Sequence, residues 1–169
     1  YRLVPFEGRA EDAAGAAVAD AVVELQLQDE AGQWRSLDRF RPDAAGRFSG
    51  TVPAVGEQGP LLRLVATAAG RAPAAPLEFS AEAPPAPATL RFGPAGSVSW
   101  DVRDDAGQGL PAKIRFWQAG REAGRAYSLG RPGAGPLPPG DYEVSVTRGF
   151  EYSPYQGSLT VPPDGRAEL

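Results

Sequence analysis

No histidine, cysteine, methionine or asparagine occurs among the 169 residues. A Ser-His-Asp triad, a cysteine nucleophile, a His-ligated metal, a zinc finger, a disulfide and an N-glycosylation sequon are all excluded. Carboxylates, arginines and tryptophans remain as residues that could do chemistry. Glu7, Glu11 and Asp12 lie close together, and paired carboxylates are what glycoside hydrolysis needs. Nothing around them marks a pocket, and such pairs arise by chance in an acidic chain, so catalysis is not expected. Asp101, Asp104 and Asp105 gather beside a glycine turn, where their oxygens could face Ca²⁺. They lack the alternate-residue spacing of a calcium loop, so a solvated hairpin turn is the expectation. The segment Gly130-Arg131-Pro132-Gly133-Ala134-Gly135-Pro136 has no Gly-Lys-Ser/Thr and no helix after it. It reads as a loop between strands, not a phosphate cradle. No cofactor is expected.

Three tryptophans invite a second kind of chemistry, stacking against a sugar or a partner. Trp100 alternates with Val98 and Val102 and reads as core. Trp117 is out of phase with Ile114 and Phe116 and reads as exposed. Trp34 follows a glycine turn, which leaves both readings open. Trp34 and Trp117 are therefore the candidates for an aromatic platform that meets a glycan.

The formal net charge is −4, with 21 acidic and 17 basic residues. Sixteen of the basic residues are arginine, scattered without a run of three, and Lys113 is the lone lysine. No basic patch for nucleic acid is visible. No window approaches 18 apolar residues, so membrane insertion by a helix is not expected. The absence of cysteine is compatible with export, periplasmic or extracellular. Both ends read as cuts in a longer polypeptide.

The elements that must position these residues are strands. Glycine (21) and proline (18) are too frequent for long helices. Period-two alternation marks Val23-Leu25-Leu27, Leu62-Leu64-Ala66, Val98-Trp100-Val102, Ile114-Phe116, Tyr142-Val144-Val146 and Leu159-Val161. Trp34 to Arg39 and the stretch around Phe48 read as further strands. Turn signals between these runs fit a β-sandwich. The Ala-rich segment 12–21 is broken by Gly15 and lacks an apolar stripe, so it reads as a hairpin loop. Residues 81–89 are Pro-rich and read either as a linker or as an edge strand continuing from Leu77-Glu78-Phe79 and ending in Leu90-Arg91-Phe92.

An internal repeat points to two modules. Asp12-x-x-Gly15-x-x-Val18 recurs as Asp104-x-x-Gly107-x-x-Leu110, an offset of 92, with Ala21-x-Val23 echoed by Ala112-x-Ile114. Aspartate caps such a turn and glycine supplies a positive φ. The expected architecture is all-β: two tandem antiparallel β-sandwich modules, 1–92 and 93–169.

The stretch from Gly8 to Val23 resembles the opening of carboxypeptidase-regulatory-like, transthyretin-like and bacterial Ig-like modules. Asp43-Ala44-Ala45-Gly46-Arg47-Phe48 is similar to their D-x-x-G-x-F strand entry. Leu62 to Arg71 looks like their closing strand, with Arg71 where an aromatic is common. Leu137-Pro138-Pro139-Gly140-Asp141-Tyr142-Glu143-Val144-Ser145-Val146 matches their L-P-x-G-x-Y-x-V-x-V. Thr147-Arg148-Gly149-Phe150-Glu151-Tyr152-Ser153 resembles the segment before the catalytic domain of bacterial PHP-type metallohydrolases. That resemblance covers residues 95–169. It implies a non-catalytic region beside a metal-dependent phosphoesterase domain in the same polypeptide. The metal ligands of that family have no counterparts here.

Arg148, Phe150, Glu151 and Tyr152 are then candidates for an interdomain contact. The plainer reading is a local Arg148–Glu151 ion pair, worth under about 1 kcal/mol if exposed. The expected function is that of a non-catalytic accessory region. A glycan- or surface-polymer-binding module, or a stalk, is the alternative.

Overall fold

The computed structural model describes residues 2–54, 60–149 and 153–169. The chain divides into two compact units, Tyr1–Gly93 and Pro94–Leu169. Both are built wholly of strands and turns among the described residues. No helix is long and apolar enough to cross a membrane among them.

The first unit holds β1 (Arg2–Asp12), β2 (Val22–Gln28), β3 (Trp34–Phe40), β4 (Arg47–Ala54), β5 (Leu61–Thr67), β6 (Leu77–Ser80) and β7 (Ala88–Phe92). The second holds β8 (Gly96–Trp100), β9 (Pro111–Gln118), β10 (Arg121–Leu129), β11 (Gly133–Pro136), β12 (Gly140–Thr147), β13 (Tyr155–Val161) and β14 (Gly165–Glu168). In the first unit a sheet ordered β4-β1-β7 accompanies one ordered β3-β2-β5-β6. In the second the orders are β11-β8-β14 and β10-β9-β12-β13. Adding seven to each strand number converts one unit into the other. Even the exceptional parallel pairing recurs, β1 with β7 and β8 with β14.

Alternation decides which face of each sheet is buried. On β2, Val23 and Leu25 are buried while Glu24 and Gln26 lie between them. On β9, Ala112, Ile114 and Phe116 are buried, and Lys113, Arg115 and Trp117 take the outer face. The first core gathers Leu25, Leu62, Leu64, Leu90 and Phe92 around a cluster of phenylalanines. Phe6 sits edge-on to Phe40 at 5.5 Å and to Phe48 at 6.4 Å. The second core packs Ile114, Phe116, Tyr142, Val144 and Leu159, with Phe116 edge-on to Tyr142 at 6.4 Å. Each large side chain so buried contributes about 1.5–3 kcal/mol before entropy is counted.

The loops between strands follow one local rule four times. Asp12, Asp29, Asp43 and Asp104 each begin an Asp-x-x-Gly turn. The aspartate Oδ1 accepts backbone N–H bonds from the second and fourth residues after it, at 2.8–3.0 Å. The glycine N–H donates back to the aspartate carbonyl, and the aspartate N–H to the fourth carbonyl. The glycines have φ of +81°, +74°, +76° and +78°, the left-handed region glycine enters without strain. The 92-residue repeat is thus a repeat of hydrogen bonds: Glu11 bridges Ala17 as Arg103 bridges Gly109. The Ala-rich stretch 12–21 is the loop its broken pattern predicts.

Two expectations are corrected. Gly133-Ala134-Gly135-Pro136 is not loop but the strand β11, paired with β8. Gly133 gives up a side chain to make room for Trp100. In the Pro-rich region, residues 88–92 are strand β7, in register with β1, and Ala81 and Ala88 are fully buried. The single continuous edge strand is not formed: Leu77–Ser80 and Ala88–Phe92 are separate edge strands of different sheets. Residues 81–87 join two sheets of one unit.

Candidate functional site

The central strands of each four-stranded sheet display the polar chemistry on their outer faces. In the first unit this is a connected row. Trp34 lies under the Arg63 guanidinium, 4.1 Å from the ring centroid. Arg63 Nε donates to Gln26 Oε1 at 2.8 Å, and Gln26 Nε2 to Glu24 Oε1 at 2.7 Å. Arg39 Nε donates to Glu24 Oε2 at 3.1 Å. The Gln26 bond, ahead of the Arg39 charge, holds the Glu24 carboxyl below its ordinary value. Trp34 is half-buried, and the cation occupies its ring face. One face of the ring is thus covered by a cation of its own sheet.

Trp117 stands on the outer face of the other four-stranded sheet. Its register partners are Glu122 on β10 and Glu143 on β12. The ring is half-buried, and its indole N–H donates to Ser145 Oγ at 3.3 Å. Arg115 approaches to 5.9 Å from the ring centroid and pairs with Glu122 at 3.8 Å. Glu122 also holds Arg125 at 2.6 Å, a bond that raises the guanidinium pKa further. A groove of about 580 Å³ opens along Trp117, bounded by Glu143, Ser145, Gln156 and Gly157. The sequence shows that Trp117 leaves the core. It cannot show these neighbours, because strand register alone brings β12 and β13 to it. Trp100 packs half-buried against the core of its unit.

The carboxylate candidates have other work. Glu11 pairs with Arg91 at 3.2 Å and with Arg9 at 3.6 Å. Asp12 and Asp104 cap their own loops, and Asp101 pairs with Arg103 at 2.9 Å. Glu7 and Glu11 border an open groove of about 1020 Å³ in the first unit. Most arginines there are matched internally: Arg9 to Glu11, Arg39 to Glu24 and Arg47 to Asp43. The carboxyls of Glu24, Asp29 and Asp43 are held below their ordinary values by the hydrogen bonds they accept. No group of three or more acidic, His or Cys side chains is placed to hold a metal among the described residues.

Arg148 follows the end of β12, half-buried, in the connection to β13. Phe150, Glu151 and Tyr152, the rest of the expected interdomain contact, lie outside the described residues. The corresponding connection in the first unit carries Arg71, whose guanidinium donates to the Gly93 carbonyl.

No protein-family model matches the chain, and no curated protein is similar to it in sequence. Solved structures are similar in fold. The shaft pilin SpaA from Lactobacillus rhamnosus GG superposes with a TM-score of 0.50 at 7% identity, over 99% of this chain and 97% of its own. A streptococcal ancillary pilin gives a TM-score of 0.50 at 13% identity, over 98% of this chain and 62% of its own. The Bacillus anthracis TIE protein gives 0.41 at 15% identity, with this chain spanning 32% of its length. At these identities the two pilins share a fold with this chain and nothing finer: an all-β chain of sandwich modules.

Proposed function

We propose that this chain is a non-catalytic structural segment, a pair of β-sandwich modules that spaces or supports other parts of a larger exported protein. The repeat of one seven-strand topology carries the reading. Repeating a self-contained folded module lengthens a polypeptide without adding chemistry. Asp12, Asp43, Glu24 and Glu11 are used in loop caps and ion pairs, which are structural tasks. Its fold likeness to shaft and ancillary pilins supports a surface location.

The test is replacement. Exchanging residues 1–169 of the parent polypeptide for an unrelated tandem sandwich of equal length should preserve the display and activity of the flanking parts. Loss of either, with both flanks folded, would overturn the spacer reading.

The finer reading adds a PHP-type metal-dependent phosphoesterase domain as the neighbour, docked at Arg148, Phe150, Glu151 and Tyr152. Its support is the sequence resemblance of Thr147–Ser153. Arg148→Ala should then lower the melting temperature of the neighbour more than that of this region. Equal or absent changes would remove the docking contact.

A further inference from the structure

The geometry points to a neutral-sugar binding groove on the outer sheet face of the second unit, with Trp117 as its stacking surface. This inference is independent of the spacer reading. A pyranose chain offers two recognisable features, an apolar C–H face and a rim of hydroxyls. The groove offers a partner for each.

Trp117 is in the middle of the sheet, on β9, with β10 on one side and β12 on the other. Its indole N–H is held by Ser145 Oγ at 3.3 Å, which fixes the ring against the strand. A fixed aromatic gives contact area at little entropic cost. The ring borders a groove of about 580 Å³, within the size range of small-molecule sites.

Hydrogen-bonding groups flank the ring. Glu143 is the register partner of Trp117 on β12, and Gln156 is the partner of Ser145 on β13. Both side chains are exposed. Neither has a side-chain hydrogen bond or ion pair among the described residues. This contrasts with the first unit, where Gln26 and Glu24 bind each other and Arg63. A carboxylate accepts from hydroxyls, and a carboxamide both donates and accepts. The Glu143 charge also selects against uronic acids and other anionic sugars.

The test uses the 169-residue chain labelled with ¹⁵N and three neutral probes: cellohexaose, xylohexaose and mannohexaose. The three indole N–H signals report Trp34, Trp100 and Trp117 separately. At least one probe is expected to move the Trp117 signal at millimolar concentration and leave Trp34 in place. Oligogalacturonate is expected to leave all three unmoved. Trp117→Ala should abolish calorimetric binding of the active probe, and Glu143→Gln or Gln156→Ala should weaken it about tenfold. The last two are exposed positions and keep the question open to test if Trp117→Ala fails to fold. No Trp117 shift with any neutral probe, a shift confined to Trp34, or undiminished binding by the Glu143 and Gln156 variants would each overturn the proposal.

Discussion

The indole of Trp100 lies directly over Gly133, its register partner across β8 and β11. A Cβ at Gly133 would stand 2.7 Å from the indole, closer than real carbon contacts allow. At Gly135 the same atom would stand 3.5 Å away, an ordinary contact. The two glycines should therefore respond differently. Gly133→Ala is expected to destabilise the chain by about 1–3 kcal/mol through overpacking. Gly135→Ala should be near neutral. Urea unfolding of both variants checks this, and equal effects would contradict it.

The β9–β10 hairpin turns through two residues, Ala119 with φ +49° and Gly120 with φ +75°. Positive φ at both positions is the type I′ arrangement, whose preferred first residue is asparagine. Alanine pays a steric penalty there that asparagine largely avoids. Ala119→Asn is expected to stabilise the second unit by about 0.5–1 kcal/mol. A lower denaturation midpoint in the variant would refute the assignment of strain to this turn.

The same local physics explains what the sequence makes readable. Strands β2, β5, β9 and β12 are central in their sheets, and their large apolar residues alternate with polar ones. Strand β11 is Gly-Ala-Gly-Pro, with Gly133 where Trp100 needs space, so it shows no apolar alternation. Strand β10 faces its interior with Gly124, Ala126 and Ser128, too small to signal a period, and escapes notice for the same reason. Three of the four Asp-x-x-Gly loops are legible in the repeat and the strand-entry motif. The fourth, Asp29-Glu30-Ala31-Gly32, is recognised by its hydrogen bonds. Trp117 is legible as leaving the core, while Glu143 and Gln156 reach it only through strand register.

Tyr142 is buried at 3% exposure, and its hydroxyl donates to the Pro138 carbonyl at 2.7 Å. The bond ties the start of β12 to the Pro138-Pro139 corner, as tyrosine corners do in other sandwiches. Tyr142→Phe should cost about 1 kcal/mol or somewhat more, because it leaves that carbonyl without its donor. Burial also raises the phenol pKa above its ordinary value. The folded state therefore holds its proton longer than the unfolded chain does. Stability from this difference is intact below about pH 10 and is lost as pH rises through the raised value. The alkaline loss should be smaller in Tyr142→Phe, measured by melting temperature between pH 9 and 12.

The acid limb has a different origin. The Arg35 side chain and the Gln33 backbone N–H hold the Asp29 carboxyl below its ordinary value. The Arg47 backbone N–H does the same for Asp43, together with the Arg47 side chain. In both cases the folded state favours the carboxylate, so the unfolded chain binds the proton first as pH falls. Stability from these loops is fully present above about pH 4, the unfolded value. It is lost progressively as pH falls below that through the lowered folded values. Asparagine at both positions keeps an acceptor for the backbone N–H groups but cannot titrate. The double variant Asp29→Asn/Asp43→Asn should therefore show a smaller fall in melting temperature between pH 5 and pH 2 than the parent chain. An identical fall in both would show that other carboxylates carry the acid sensitivity.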